Sequence, residues 1–132
     1  MKPTKNLIFL TLSFIFFQSF AVAQDQVVAS AREAIRSGNA EKLATHLNEP
    51  VELNVKNQKK NYNKVQAEII LKKFFEENPA RSFEYDHNTT SRGGLKFMIG
   101  TYTCTNGKYR VHMLIKEENG MYKIDMLDIV KE

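Results

Sequence analysis

Cysteine is nearly absent. Cys104 stands alone in 132 residues, so no intramolecular disulfide can form, and a hydrophobic core must hold the fold. In the strand pattern it occupies, a single thiol reads as a small half-buried hydrophobe rather than as a nucleophile or an intermolecular bridge. Internal repeats, low-complexity tracts and Pro/Gly-rich linkers are missing too, which leaves one domain as the natural count. No dense cationic stripe interleaved with aromatics is present, so nucleic acid is excluded as a partner on electrostatic grounds. The histidines are few, and no pair among His46, His87 and His112 has a metal-ligand spacing. Nothing in the sequence calls for a metal or a cofactor.

Apolar runs are scarce except at the beginning. Lys2 and Lys5 precede the run Leu7–Phe17, broken only by Thr11 and Ser13, and Ala21-Val22-Ala23 follows as a small-x-small site. This is the pattern of a cleavable signal peptide over residues 1–23. The run is shorter than the roughly 20 apolar residues a spanning helix needs, so stable membrane insertion after leader removal is not expected. The chain expected after cleavage, residues 24–132, keeps 17 of the 19 basic residues against 15 acidic ones, a net charge of +2. Export follows, to the periplasm or beyond.

Helical spacing comes first along that chain. Asp25 is a plausible N-cap, and Val27, Val28, Ala31, Ala34 and Ile35 share one face. Gly38 suits the left-handed position past a helix end, and Asn39 can cap the next helix. Leu43 and Leu47 lie one turn apart on that second helix, which Asn48-Glu49-Pro50 should stop. Val51, Leu53 and Val55 then alternate with Glu52, Asn54 and Lys56, a strand with one wet face. Asn57–Asn61 reads as polar and turn-like, or a short strand. Asn63-Lys64-Val65-Gln66 fits a capping box and opens a long helix with the stripe Ala67, Ile70, Leu71, Phe74 and Phe75. It ends at Asn78-Pro79.

From Arg81 the period becomes two. Phe83, Tyr85 and His87 alternate with Glu84 and Asp86, Arg92-Gly93-Gly94 turns the chain, and Asn106-Gly107 and Asn119-Gly120 are tight-hairpin signals. Tyr122 and Ile124 change phase to Leu127 and Ile129, which predicts a bulge near Asp125-Met126. Strands gathered after helices point to α+β with an antiparallel sheet. The long helix must cover one face.

These residues carry a resemblance. The Ser37-Gly38-Asn39 break, the Leu43…Leu47 helix entering Pro50-Val51-Glu52-Leu53, the long helix, and a meander closing with Gly120-Met121-Tyr122-Lys123-Ile124 resemble the cone-shaped, cystatin-like α+β fold of the nuclear transport factor 2-like superfamily. More narrowly, Tyr62…Ala67-Glu68…Leu71-Lys72…Phe74-Phe75…Asn78-Pro79 resembles an uncharacterised family of small secreted proteins from Bacteroidota. The resemblance implies a curved sheet wrapped around the long helix, with a cavity at the wide end. Such cavities host isomerases and dehydratases, serve as simple ligand sites, or are filled, so the fold does not select the function.

An isomerase of this shape keeps a carboxylate base on or just after the first strand. Here that stretch reads Asn54-Val55-Lys56-Asn57, and the expectation leans away from an enzyme. The favoured reading is a binding module for a small apolar or amphipathic ligand, with Leu53, Phe74, Tyr85, His87, Phe97, Tyr109, Val111, Met113 and Asp125 as candidate lining. The alternatives are an enzyme using His87, Tyr109 or Asp125, and a partner-binding envelope protein with a filled interior. Asn88-Thr89-Thr90 matches a glycosylation acceptor. On the late strands Phe97, Ile99, Val111 and Met113 are expected on one face, and Met98, Tyr102, Cys104 and Leu114 on the other. The face away from the helix then needs cover, and a homodimer through the convex sheet supplies it.

Overall fold

The computed structural model describes residues 25–86 and 90–132. The expected leader, His87 and the asparagine of the glycosylation pattern lie outside the described residues. The chain forms α1 (residues 25–37), α2 (Ala40–Ala44), β1 (Leu47–Val55), β2 (Gln58–Tyr62), α3 (Lys64–Glu77), β3 (Ala80–Tyr85), β4 (Thr90–Arg92), β5 (Leu95–Cys104), β6 (Gly107–Glu118) and β7 (Met121–Lys131). The strands make one curved, open sheet in the order β2-β1-β7-β6-β5-β3, with β4 paired to β5. The β1–β7 pair is parallel and the other pairs are antiparallel.

The helices pack where their apolar stripes require. Ala31, Ala34 and Ile35 of α1 are buried, and so are Ala67, Leu71, Phe74 and Phe75 of α3. Taking a large apolar side chain out of water stabilises by roughly 1.5–3 kcal/mol, so this stripe holds α3 on the sheet. The α1–α2 break follows the expected chemistry. Gly38 has φ +68 and Asn39 accepts a hydrogen bond from the Lys42 amide at 3.0 Å. The capping box at the start of α3 is also formed, Asn63 to the Gln66 amide at 2.8 Å and the reciprocal bond at 3.4 Å. Asp25 is already helical rather than capping.

Two local expectations are corrected, and the choice between turn and strand at Asn57–Asn61 is settled. The second helix ends at Ala44, and Leu47 opens β1 instead. Its fully buried side chain is set by pairing with Ile124 of β7, and tertiary pairing overrides the helical spacing. Gln58–Asn61 is strand, because Lys56 and Asn57, at φ 56 and 60, make the hairpin turn by themselves. At the β5–β6 hairpin the two-residue loop is Thr105-Asn106, and Gly107 already pairs with Cys104.

The face assignment of the late strands also changes. Met98 pairs with Met113, Gly100 with Val111, and Phe97 with Leu114. A two-residue hairpin loop pairs an odd position with an even one, so alternate residues of the two strands share faces in opposite phase. Met98, Tyr102 and Cys104 therefore join Val111 and Met113 under the helices, while Phe97 and Ile99 join Leu114 outside. The bulge expected in β7 is present: Leu114 pairs with Met126 but Ile115 with Ile124. It faces the register shift of β1, which lies between Leu47 and Glu52, and Asn48 Nδ2 donates across to Asp125 Oδ1 at 3.1 Å.

Candidate functional site

The helix-facing side of the sheet is closed by the chain's own side chains. Leu53, Phe74, Val111 and Met113 come together there, at 0%, 2%, 1% and 0% exposure. The aromatic rings interlock: Phe74 meets Tyr109 edge-on at 5.1 Å and Tyr102 at 5.5 Å. Such offset and edge-to-face contacts are the favourable arrangements for aromatic quadrupoles.

The polar candidates are occupied. Tyr85 donates its hydroxyl proton to the Val28 carbonyl at 2.9 Å, pinning α1 to β3. Burial pushes the Tyr85 phenol well above its ordinary pKa, against the opposing pull of Arg32. Tyr109 donates to Asn78 Oδ1 at 3.3 Å, and Tyr102 donates to the Asn78 carbonyl. Burial, with Cys104 and Tyr109 adding to it, raises the Tyr102 phenol as well. All three hydroxyls are engaged with oxygens of the chain itself.

Two candidates lie elsewhere. Phe97 sits on the outer face, stacked on His112 with 6.0 Å between ring centroids. Asp125 is held by Asn48 at the bulge. Tyr109 pairs with Lys131, six residues along β7 from Asp125, roughly 20 Å at strand rise. Asp125 and Tyr109, both named for the alternative of an enzyme, are therefore not brought together. His112 faces outward, across the ladder from Asp128 and Ile99. Asp128 also pairs with Asn54, and Oδ1 of each is enclosed without a hydrogen-bond donor. The imidazole of His46 is pushed below its ordinary pKa by burial and then by Lys42 and Lys123. Among the described residues no group of three or more His, Cys, Asp or Glu could hold a metal ion, and no helix is long and apolar enough to cross a membrane.

Openings occur at the margins. A hollow of about 280 Å³ lies where α3 meets the β1–β2 hairpin, with Val55, Ile70 and Phe74 apolar and Lys56 and Lys73 charged. Another, of about 310 Å³, lies between the start of α3, the start of β1 and the β6–β7 hairpin, and gathers Lys64, Lys116 and Lys123. Sequence reasoning missed that cluster, although a two-residue Asn119-Gly120 loop already implies that Lys116 and Lys123 stand opposite. It also missed Asn78, whose burial has no local sequence signal.

Helices packed on one side of a curved, unclosed sheet define the nuclear transport factor 2-like class of α+β fold. An NTF2-like protein of unknown function from Cytophaga hutchinsonii has this fold, with a TM-score of 0.57 at 16% identity over 83% of this chain and 89% of that one. Residues 28–130 match the profile of the family described as Domain of unknown function (DUF4783), and the chain belongs to that family. It is similar to a DUF4783 family protein from Bacteroides ovatus, with 28% identity and a TM-score of 0.74 over 79% of this chain and 94% of that one. A DUF4783 family protein from Bacteroides fragilis gives 29% identity and 0.72 over 78% and 96%. Among curated proteins none matches.

Proposed function

We propose that this chain is an exported, non-enzymatic binding domain that works as a homodimer through the outer face of its sheet. The observation that carries the reading is the contrast between the two faces. The inner face is filled by Leu53, Phe74, Val111 and Met113. The outer face presents a half-buried apolar row in which Phe97, Leu114 and Met126 follow one another across three strands, with Ile99 and His112 alongside. Lys59–Glu52 and Arg110–Asp86 ion pairs, at 2.8 and 2.5 Å, flank it. An apolar centre with a charged rim is the anatomy of a protein interface, and a two-fold axis makes such a patch self-complementary. Export is supported by Lys2, Lys5, Leu7–Phe17 and Ala21-Val22-Ala23. The absence of catalysis is supported by the engaged phenols and by Asn54-Val55-Lys56-Asn57, which offers no carboxylate base. Sedimentation equilibrium at micromolar concentration tests the reading. Wild type should be dimeric and Leu114→Lys monomeric with an unchanged far-UV spectrum; a monomeric wild type overturns it.

A second reading concerns a small amphipathic ligand. The seam between α3 and β1–β2 combines Val55, Ile70 and Phe74 with Lys56 and Lys73, which suits an apolar tail with an acidic head. Native mass spectrometry of protein from its own host should then show a bound mass that Ile70→Lys removes; a bare chain counts against this reading.

A further inference from the structure

The β6–β7 hairpin sets two like charges against each other. Lys116 and Lys123 are direct register partners, and like charges in that position destabilise a ladder. The Lys64 side chain, from the first residue of α3, reaches the same ammonium: Lys123 is held below its ordinary pKa by its contact with Lys64, then by burial. All three line the hollow of about 310 Å³. The imidazole of His46 also feels the charge of Lys123.

Two carboxylates, Glu49 and Glu118, share the hollow with the three ammonium groups, and the charge of Glu49 pulls Lys123 back up, but they are one fewer than the lysines. Glu118 is engaged with Lys116 at 3.3 Å, and Glu49 accepts the backbone amide of Lys64 at 3.3 Å. No carboxylate lies within ion-pair distance of Lys64 or Lys123 among the described residues, and the first turn of α3 carries no acid. Two ammonium groups at about 4 Å repel by about 1 kcal/mol even in water. Long flexible stems could turn both outward to avoid this, yet the fold brings them to one concave place from two elements.

We propose that this hollow is an oxyanion site, in which the ammonium groups of Lys64 and Lys123, backed by Lys116, hold an anionic phosphate group. A multivalent oxyanion satisfies donors converging from several directions, and lysine acts on it as a point charge. The exposed Met121 thioether on the rim leaves room for an apolar substituent on the phosphate. The source is a soluble phosphomonoester or the headgroup of an anionic lipid.

The test is a titration of protein labelled at the lysine side chains with inorganic phosphate at fixed ionic strength, read by NMR. Vesicles of phosphatidylglycerol and of phosphatidylcholine form a second arm. The Lys64 and Lys123 signals should shift saturably with phosphate. Lys123→Gln and Lys64→Gln should each weaken binding about tenfold, the effect of losing one charged hydrogen bond, while Lys72→Gln leaves it unchanged. Saturation by phosphate without vesicle binding identifies a soluble ligand. Sedimentation with phosphatidylglycerol alone, lost in Lys123→Gln, identifies a headgroup. Shifts spread evenly over all lysines, binding that persists in both variants, or no binding in either arm overturns the proposal.

Discussion

Tyr109 donates its hydroxyl proton to Asn78 Oδ1 at 3.3 Å, and the same oxygen takes a bond from Asn106 Nδ2 at 3.0 Å. Asn78 also donates to the Phe74 carbonyl at 3.2 Å, so one buried side chain joins the end of α3 to the β5–β6 hairpin. Asn78→Ala leaves these partners without it and should cost about 1–3 kcal/mol in urea unfolding. Tyr109→Phe removes one bond and should cost about 1 kcal/mol. Equal stability of both variants and wild type would contradict a structural role for the pair.

Gly100 is required by an aromatic ring. A Cβ there would stand 2.7 Å from the Phe83 ring and 3.0 Å from the Glu84 carbonyl. Phe83 is fully buried and cannot swing away. Gly100→Ala should therefore destabilise by about 1–3 kcal/mol through overpacking, and Phe83→Leu in the same chain should recover part of that loss. A neutral Gly100→Ala in thermal unfolding would show that β3 lies further from β5.

Asp128 offers the opposite case. Its Oδ1 and that of its register partner Asn54 are both enclosed without a donor, and an unsatisfied buried polar atom costs about 1–3 kcal/mol. Asp128→Asn supplies an N–H to one oxygen and removes a charge, and should raise stability by about 1 kcal/mol. A loss of stability would mean that the carboxylate answers Lys59 or His112 more strongly than the geometry implies.

His46 sets a pH dependence. Its folded-state pKa is lowered from 6.5, chiefly by burial and then by Lys42 and Lys123. The folded chain therefore binds this proton less readily than the unfolded chain. Its contribution to stability is intact above pH 6.5 and is lost as the pH falls through the folded-state value. Urea midpoints should decline below pH 6.5, and His46→Gln should flatten that part of the curve. An unchanged curve in the variant would assign the decline to other groups.

Much of the scaffold was legible in the residues. The capping box Asn63…Gln66, the Gly38 break, the α3 stripe and the bulge after Ile124 all stand where local chemistry puts them. Local patterns failed where pairing at a distance decides. Leu47 is drawn into β1 by Ile124 of β7, 77 residues away along the chain. Phe97 turns outward because the hairpin loop fixes the phase of β5 against β6. The candidate lining was partly legible, since Leu53, Phe74, Val111 and Met113 do converge, but apolar periodicity cannot tell a cavity wall from a filled core. Only packing distinguishes them.

The two faces can be compared in one experiment. Methyl signals of Ile99, Leu114 and Met126 on the outer face, and of Leu53 and Met113 inside, are followed with a soluble paramagnetic agent while the protein is diluted. The account predicts that the inner methyls stay protected throughout, whereas the outer ones are protected at high concentration and become attenuated on dilution. Outer methyls attenuated equally at every concentration, or inner methyls reached by the agent, would contradict it.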